Sequence, residues 1–186
     1  MFHRFDRNLG NFRGGGLPSL NLKPIGTVHN SIRMKMRKGW DSVSSEIVLS
    51  SDYEEGLEGI EAYSHLFILF WLSRVPPNAR GRRLKIHPRS RRDLPLVGIF
   101  ATRTQYRPNP IGLTQVRLLK REGNILRVRG LDALNGTPVL DIKPVSPRTE
   151  FPSRVRVPEW YHRLWEKRFA ESAVTARKGK RNHPLR

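Results

Sequence analysis

Between Thr27 and Ile142 no stretch carries the apolar period of a long helix; apolar residues come in short runs broken by glycine, proline and asparagine. A doubly wound sheet needs a covering helix between successive strands, so this pattern excludes it and points to a mainly β, barrel-like single domain. Lys23-Pro24-Ile25-Gly26-Thr27-Val28 reads as the start of a strand and Ser45 to Leu49 as a second. The basic loop SIRMKMRKGWDSV lies between them. Tyr53 to Leu57 suits one helical turn before Gly59. Ser64 to Trp71 is too short and too aromatic for a helix and is expected to be a central strand buried on both faces. Leu96 to Ala101 reads as a further strand. Thr114 to Lys120 and Ile125 to Leu131 flank Glu122-Gly123-Asn124 as a β-hairpin, and Val139 to Ile142 is another short strand. The clear helix follows Pro158, where Tyr161, Trp165 and Phe169 recur at four-residue spacing beside Leu164.

The chain has 186 residues, enough for one hydrophobic core, and 37% of them are apolar. Its longest apolar run, Leu66 to Leu72, is seven residues, far below the roughly 20 that span a bilayer. No apolar segment follows Arg4 and Arg7, so no signal peptide is expected and a cytoplasmic location is. The absence of cysteine excludes disulfides, thiolate metal sites and cysteine nucleophiles from this sequence. Lys and Arg number 35 against 16 Asp and Glu, a formal charge of +19. The surplus is clustered. Residues 80–92 hold seven cations and no acid, Arg33 to Lys38 four, and Arg177 to Arg186 five. Such runs either form a solvated face or contact the phosphates of a nucleic acid. On the second reading Arg82, Arg83, Lys85, Arg89, Arg91 and Arg92 are the docking residues. The expected organisation is a flexible Gly-rich leader over 1–21, a folded domain over 22–147, a helix-bearing extension over 148–172 and a basic tail over 173–186.

There is no GxGxxG, P-loop or HExxH, and Gly14-Gly15-Gly16 precedes any strand. The six histidines have no ligand spacing, so no metal site is expected. His65 reads as a structural histidine bonded to nearby backbone. Ser73, Asp132 and His65 lack the spacing of a triad. The dense region is GIFATRTQYRPNPIGLTQV, with Arg103 at a strand end and Arg107 in the double-proline loop. Pro108 and Pro110 restrict the backbone there, so Arg107 and Asn109 would be presented at low entropic cost, as a ligand site or as a rigid turn. In LDALNGTPVLDIKP the pair Asn135-Gly136 marks a turn whose amides and Asn135 side chain suit an adenine edge or a carboxylate, or merely an ordinary hairpin. Asp141 and Lys143 fall on one face of a strand and are expected to form a buried pair.

Three blocks, SEIVLSSDYEEGLEGIEAYSHLFILFWLSR, GIFATRTQYRPNPIGLTQVRLL and LDALNGTPVLDIKP, follow KPIGTV in that order. They resemble the signature blocks of the S-adenosylmethionine-dependent tRNA adenine-37 N6-methyltransferases, the TsaA-like group, over about residues 22–147. The resemblance implies a homodimeric β-barrel with the cofactor site near the subunit interface. It also implies methylation of N6 of threonylcarbamoyladenosine at position 37 of tRNA, with S-adenosylmethionine as donor. The implied cofactor contacts are Ser73, Arg74, Arg103, Leu113, Leu134, Asn135, Gly136 and Thr137. Bacterial members of the family carry Pro-Arg-Gln in the first loop. Here Arg37-Lys38-Gly39-Trp40 stands in that region, so Lys38 and Trp40 are expected to substitute. For catalysis Asp141 or a group on the RNA is the expected proton acceptor, with Tyr106, Arg107 and Asn109 orienting the base and its carboxylate-bearing arm. The alternative is a non-catalytic module that binds S-adenosylmethionine or RNA.

Overall fold

A computed structural model of the chain describes residues 20–36, 39–150, 152 and 154–165. Among these residues the strands are β1 (Gly26–His29), β2 (Ser44–Leu49), β3 (His65–Trp71), β4 (Lys85–Ile86), β5 (Val97–Gly98), β6 (Ile111–Glu122), β7 (Ile125–Arg129) and β8 (Pro138–Pro144). Six of them close an antiparallel barrel in the order β1-β2-β7-β6-β3-β8, with β8 returning to β1. β4 and β5 form a separate two-stranded ribbon between β3 and β6. The fold is mainly β, as the short apolar runs require.

Alternation explains the barrel. In β2 Ser45, Ile47 and Leu49 point inward, and in β7 Leu126 and Val128 do. With Val28, Leu66, Ile68, Phe70, Val116 and Val139 these apolar residues form one buried core. β3 corrects the expectation of a strand buried on both faces: only Leu66, Ile68 and Phe70 are buried, while His65, Phe67, Leu69 and Trp71 are half-exposed. A closed barrel has one dry face per strand, so a continuous apolar run still shows half its side chains to the outside. The expected strand over Leu96–Ala101 is likewise shortened to β5, because Ile99–Ala101 turns as a 3-10 helix that buries Ile99.

The β6–β7 hairpin forms as expected, with Gly123 at φ 59° in the turn and Asn124 Nδ2 donating to Leu49 O at 2.6 Å. Short 3-10 turns at Ser51–Tyr53 and Glu55–Leu57 occupy the predicted helical turn. Beyond the barrel lie α1 (Pro147–Glu150) and a helical stretch over 159–165, which begins after Pro158 as predicted and brings the rings of Tyr161 and Trp165 to 6.0 Å. Phe169, residues 1–19 of the leader and the basic tail lie outside the described residues.

Candidate functional site

Antiparallel closure sorts the connections into two sets. At one end β1, β3 and β7 finish and β2, β6 and β8 begin; at the other the β6–β7 turn closes over the end of β2. Every segment singled out in the sequence for cofactor contact belongs to the first set. Ser73 and Arg74 follow β3, Leu113 opens β6, residues 134–137 precede β8, and Trp40 starts the 3-10 turn before β2. Blocks far apart in the chain therefore meet at what we call the Asn135 end. Lys38 lies outside the described residues.

Asn30 holds this end together, and the sequence reading missed it. Its Nδ2 donates to Ser45 Oγ at 2.9 Å and to Ala133 O at 3.0 Å, and its Oδ1 accepts from Ile32 N at 2.9 Å. Its own backbone N–H donates to Asn135 Oδ1 at 3.0 Å. Asn135 N reaches Ile32 O at 2.8 Å and Gly136 N reaches Val28 O at 2.7 Å. The Asn135-Gly136 turn is thus laced to the loop after β1, with Gly136 at φ 77° where a side chain would be strained. Apart from the bond to Ile32 N, nothing local in His29-Asn30-Ser31 marks this role, because the other partners lie 15 and about a hundred residues away. A second tie joins β6 to the same turn: Thr114 Oγ1 donates to Asp132.

Three arginines brace the surrounding loops through backbone carbonyls. Arg74 Nη1 donates to Arg33 O at 2.7 Å, and Trp40 Nε1 donates to Met36 O at 3.2 Å, so both shape the first loop. Arg103 Nη2 donates to Leu113 O at 2.5 Å. It sits in a turn past Ile99–Ala101 and not at a strand end, which corrects the sequence expectation. Arg107 Nη1 donates to Thr102 O at 2.9 Å and Ile99 O at 3.3 Å, and its guanidinium lies 5.2 Å from the Phe100 ring. Half-buried and engaged in this way, Arg107 fixes the double-proline loop, while Tyr106 and Asn109 are exposed on it. Gly112, the last residue of Arg-Pro-Asn-Pro-Ile-Gly, has a packing reason: a Cβ there would overlap the ring of Phe70.

Asp141 pairs with Lys143 at 2.8 Å, but their side chains are 43% and 64% exposed, so the expected buried pair is a surface pair. Val139 points into the core, and the β-bulge where the β3–β8 register shifts between Leu69 and Phe70 reverses the later part of β8, so Asp141 and Lys143 pair with Leu69 and Phe67 on the outer face. In register Asp141 faces Leu69, which faces Leu113, so the carboxylate stands two strands from Leu113 on the outer wall. His65 also departs from expectation: its Nδ1 meets Ser64 Oγ at 2.9 Å instead of a backbone group.

Within the basic stretch, Lys85–Ile86 form one edge of the β4–β5 ribbon. Lys85 lies in β4, Ile99 N donates to Leu84 O at 3.0 Å, and Gly81 N donates to Tyr106 O at 3.2 Å. Arg82, Arg83, Lys85, Arg89 and Arg92 are exposed. Arg91 instead ion-pairs with Asp93, which raises its pKa chiefly through the side-chain hydrogen bond. Arg89 takes φ 52° and lies 6.0 Å from the Trp165 ring, joining the ribbon to the C-terminal helix.

Comparison with known proteins identifies the family. The model of the tRNA-methyltransferase O N-terminal domain matches residues 35–151. A probable S-adenosyl-L-methionine-binding protein of Methanothermobacter thermautotrophicus is 40% identical over 67% of this chain and 89% of its own length. The tRNA (adenine(37)-N6)-methyltransferase of Mus musculus is 34% identical over 73% of this chain, which spans only 29% of that protein. The crystal structure of TrmO from Pseudomonas aeruginosa superposes with a TM-score of 0.63 and 30% identity, over 77% of this chain and 62% of that one. With a family model covering well over half of its residues and the same barrel in a solved relative, the chain belongs to the tRNA-methyltransferase O family, the TsaA-like group.

Proposed function

We propose that the protein binds S-adenosylmethionine at the Asn135 end and transfers its methyl group to N6 of threonylcarbamoyladenosine at position 37 of tRNA. The observation that carries this reading is the convergence of the family's blocks on one barrel end, cross-tied through Asn30, Asn135, Arg74 and Arg103.

The residues present fit the cofactor's chemistry. Arg103 and Arg74 each commit one terminal nitrogen to a carbonyl, and both are exposed, so the rest of each fork faces solvent and suits a carboxylate or ribose hydroxyl. Asn135 accepts through Oδ1 and keeps its amide NH2 for an adenine edge, with Leu134, Gly136 and Thr137 beside it. Ser73, Leu113, Trp40 and Lys38 complete the proposed contacts. When bound, S-adenosylmethionine supplies an electrophilic sulfonium methyl.

The chain's own work is orientation and proton management. Tyr106 and Asn109 lie exposed on a loop braced by Pro108, Pro110 and Arg107, which suits them to position the modified base. Arg107 acts mainly by holding that loop, with the nitrogens not bound to Ile99 O and Thr102 O left for the threonyl carboxylate. The urea-like N6 must lose a proton, and the acceptors we propose are Asp141 on the outer wall or Asp132 beside Thr114. The exposed ribbon residues Arg82, Arg83, Lys85, Arg89 and Arg92 dock phosphates, with Arg91 committed to Asp93. We propose a homodimer, supported by the exposed apolar residues Leu113, Ile111 and Phe100 around the site.

The test is labelled-methyl transfer to tRNA from cells that contain or lack the threonylcarbamoyl modification, followed by nucleoside analysis. Methylated threonylcarbamoyladenosine from the first pool alone is expected. Tight cofactor binding without transfer to either pool would favour the non-catalytic module.

A further inference from the structure

We infer that the outer wall of the barrel carries a phosphate-binding row, built on the directly opposed Arg117 and Arg129, that takes the backbone of an RNA strand. The inference rests on the reading of RNA as partner and adds a docking surface separate from the ribbon.

The row follows from alternation and register. In β6 Val116 is buried and Arg117 exposed; in β7 Val128 is buried and Arg129 exposed. Arg117 is the cross-strand partner of Arg129, so both guanidinium groups rise from the same face. Register extends the row to His65 on β3, opposite Arg117, and to Ser44 on β2, opposite Arg129. Across four strands the wall therefore presents an imidazole, two guanidinium groups and a hydroxyl, with no carboxylate among them.

The neighbouring cations are handled differently. Arg127, two residues before Arg129, is held by Glu46 Oε1 and Glu122 Oε2, each at 3.2 Å. Lys143 has Asp141 at 2.8 Å, and Lys120 has Glu122 at 2.6 Å. Among the described residues no carboxylate pairs with Arg117 or Arg129. Like charges directly opposite on an antiparallel pair oppose folding, so the pair is a cost to the free protein that a bound anion removes. A phosphodiester fits, because each of its two free oxygens can accept from one guanidinium fork.

The position suits a strand running from the candidate site. Arg129 lies two residues before Leu131, where the segment leading to Asn135 begins. Arg117 is four residues along β6 from Leu113, about 13 Å at the usual strand rise. A second copy meeting this wall across a two-fold axis is a poorer occupant, since it sets another Arg117 and Arg129 against the first.

The test is the full chain carrying Arg117→Ala and Arg129→Ala together, assayed for affinity to tRNA and to poly(U) at two salt concentrations. Cofactor affinity, melting temperature and solution mass are measured alongside. We expect both RNAs to bind about tenfold more weakly at low salt, with the salt slope shallower by about 0.7, since one phosphate of a single strand is no longer neutralised. Melting temperature should hold or rise, because repulsion is relieved, and cofactor affinity and mass should not move. Replacing both arginines by lysine should restore most of the affinity. Unchanged RNA affinity and slope in the alanine variant, a changed mass, or no binding of either RNA by the parent protein would overturn the row. If the parent methylates no tRNA yet the variant still loses affinity for poly(U), the row stands and the methyltransferase reading falls.

Discussion

The two ends of the barrel use their cations in opposite ways. At the Gly123 end, arginine and lysine meet carboxylates. Arg121 pairs with Glu61 at 3.0 Å while also reaching Leu57 O and Glu54 O, and Glu122 serves both Lys120 and Arg127. At the Asn135 end, Arg74, Arg103 and Arg107 are oriented by the carbonyls of Arg33, Leu113 and Thr102. A carboxylate partner cancels the charge it holds, whereas a carbonyl orients the guanidinium and leaves its full charge for something else. Both ends are ordered, but the charges of Arg74, Arg103 and Arg107 at the Asn135 end are not cancelled by the carbonyls that orient them. The Gly123 end is held together as a structural closure; the Asn135 end is where we propose that the ligand binds.

The sharpest way to break this contrast is through glycine. Gly112→Ala drives a Cβ into the Phe70 ring at the Asn135 end and should cost about 3 kcal/mol of stability by urea unfolding. Gly123→Ala meets only the Glu54 carboxylate at 3.4 Å and, at φ 59°, should cost about 1 kcal/mol. A larger loss at Gly123 would mean that the hairpin turn, not the packing beneath the double-proline loop, limits the fold.

Side chains give the next largest effect. Asn30→Ala removes the bonds to Ser45 Oγ, Ala133 O and Ile32 N and should cost about 2 kcal/mol. It should also weaken S-adenosylmethionine binding by calorimetry, because the residue-30 backbone N–H that holds Asn135 Oδ1 is no longer fixed in place by the side-chain bonds to Ser45 and Ala133. Arg121→Ala at the other end should lower stability comparably, by removing the bonds to Leu57 O and Glu61, and leave cofactor affinity alone. Equal losses of affinity in both variants would dissolve the distinction between the ends.

The smallest effect is in acid. The Glu122 carboxyl is held below its ordinary 4.5 by the Lys120 hydrogen bond and then by Arg127. The Glu61 carboxyl is lowered by backbone hydrogen bonding at Glu61 itself and then by Arg121. A folded-state pKa below the unfolded value stabilises the protein above that unfolded value and is lost as pH falls through the folded one. Melting temperature should therefore drop below about pH 4.5, and Glu122→Gln should flatten part of that drop. Both carboxyls are exposed, so the change is small. A Glu122→Gln curve parallel to the parent's would show that the Gly123 end owes nothing to these pairs.

Much of the molecule was legible in the residues. The hairpin around Glu122-Gly123-Asn124, the turn at Asn135-Gly136 and the helix after Pro158 follow from local chemistry: glycine where φ is positive, proline where a helix begins. The rigidity of the double-proline loop was equally visible. Burial was misread where it depends on closure. Leu66 to Trp71 is apolar throughout but dry on one face, and Asp141 with Lys143 stands in water because β8 turns those positions outward.

By itself the sequence determined where most of the barrel's strands and turns fall and that the chain carries far more positive charge than its fold needs. Tertiary structure alone decided register and closure. Those set Asn30 on Asn135 across 105 residues and Arg117 directly against Arg129, and they gathered the family's blocks at one end. The physical reason is one of range: turn and strand preferences act over a few residues, whereas strand pairing is chosen by how the inward side chains fill one shared core.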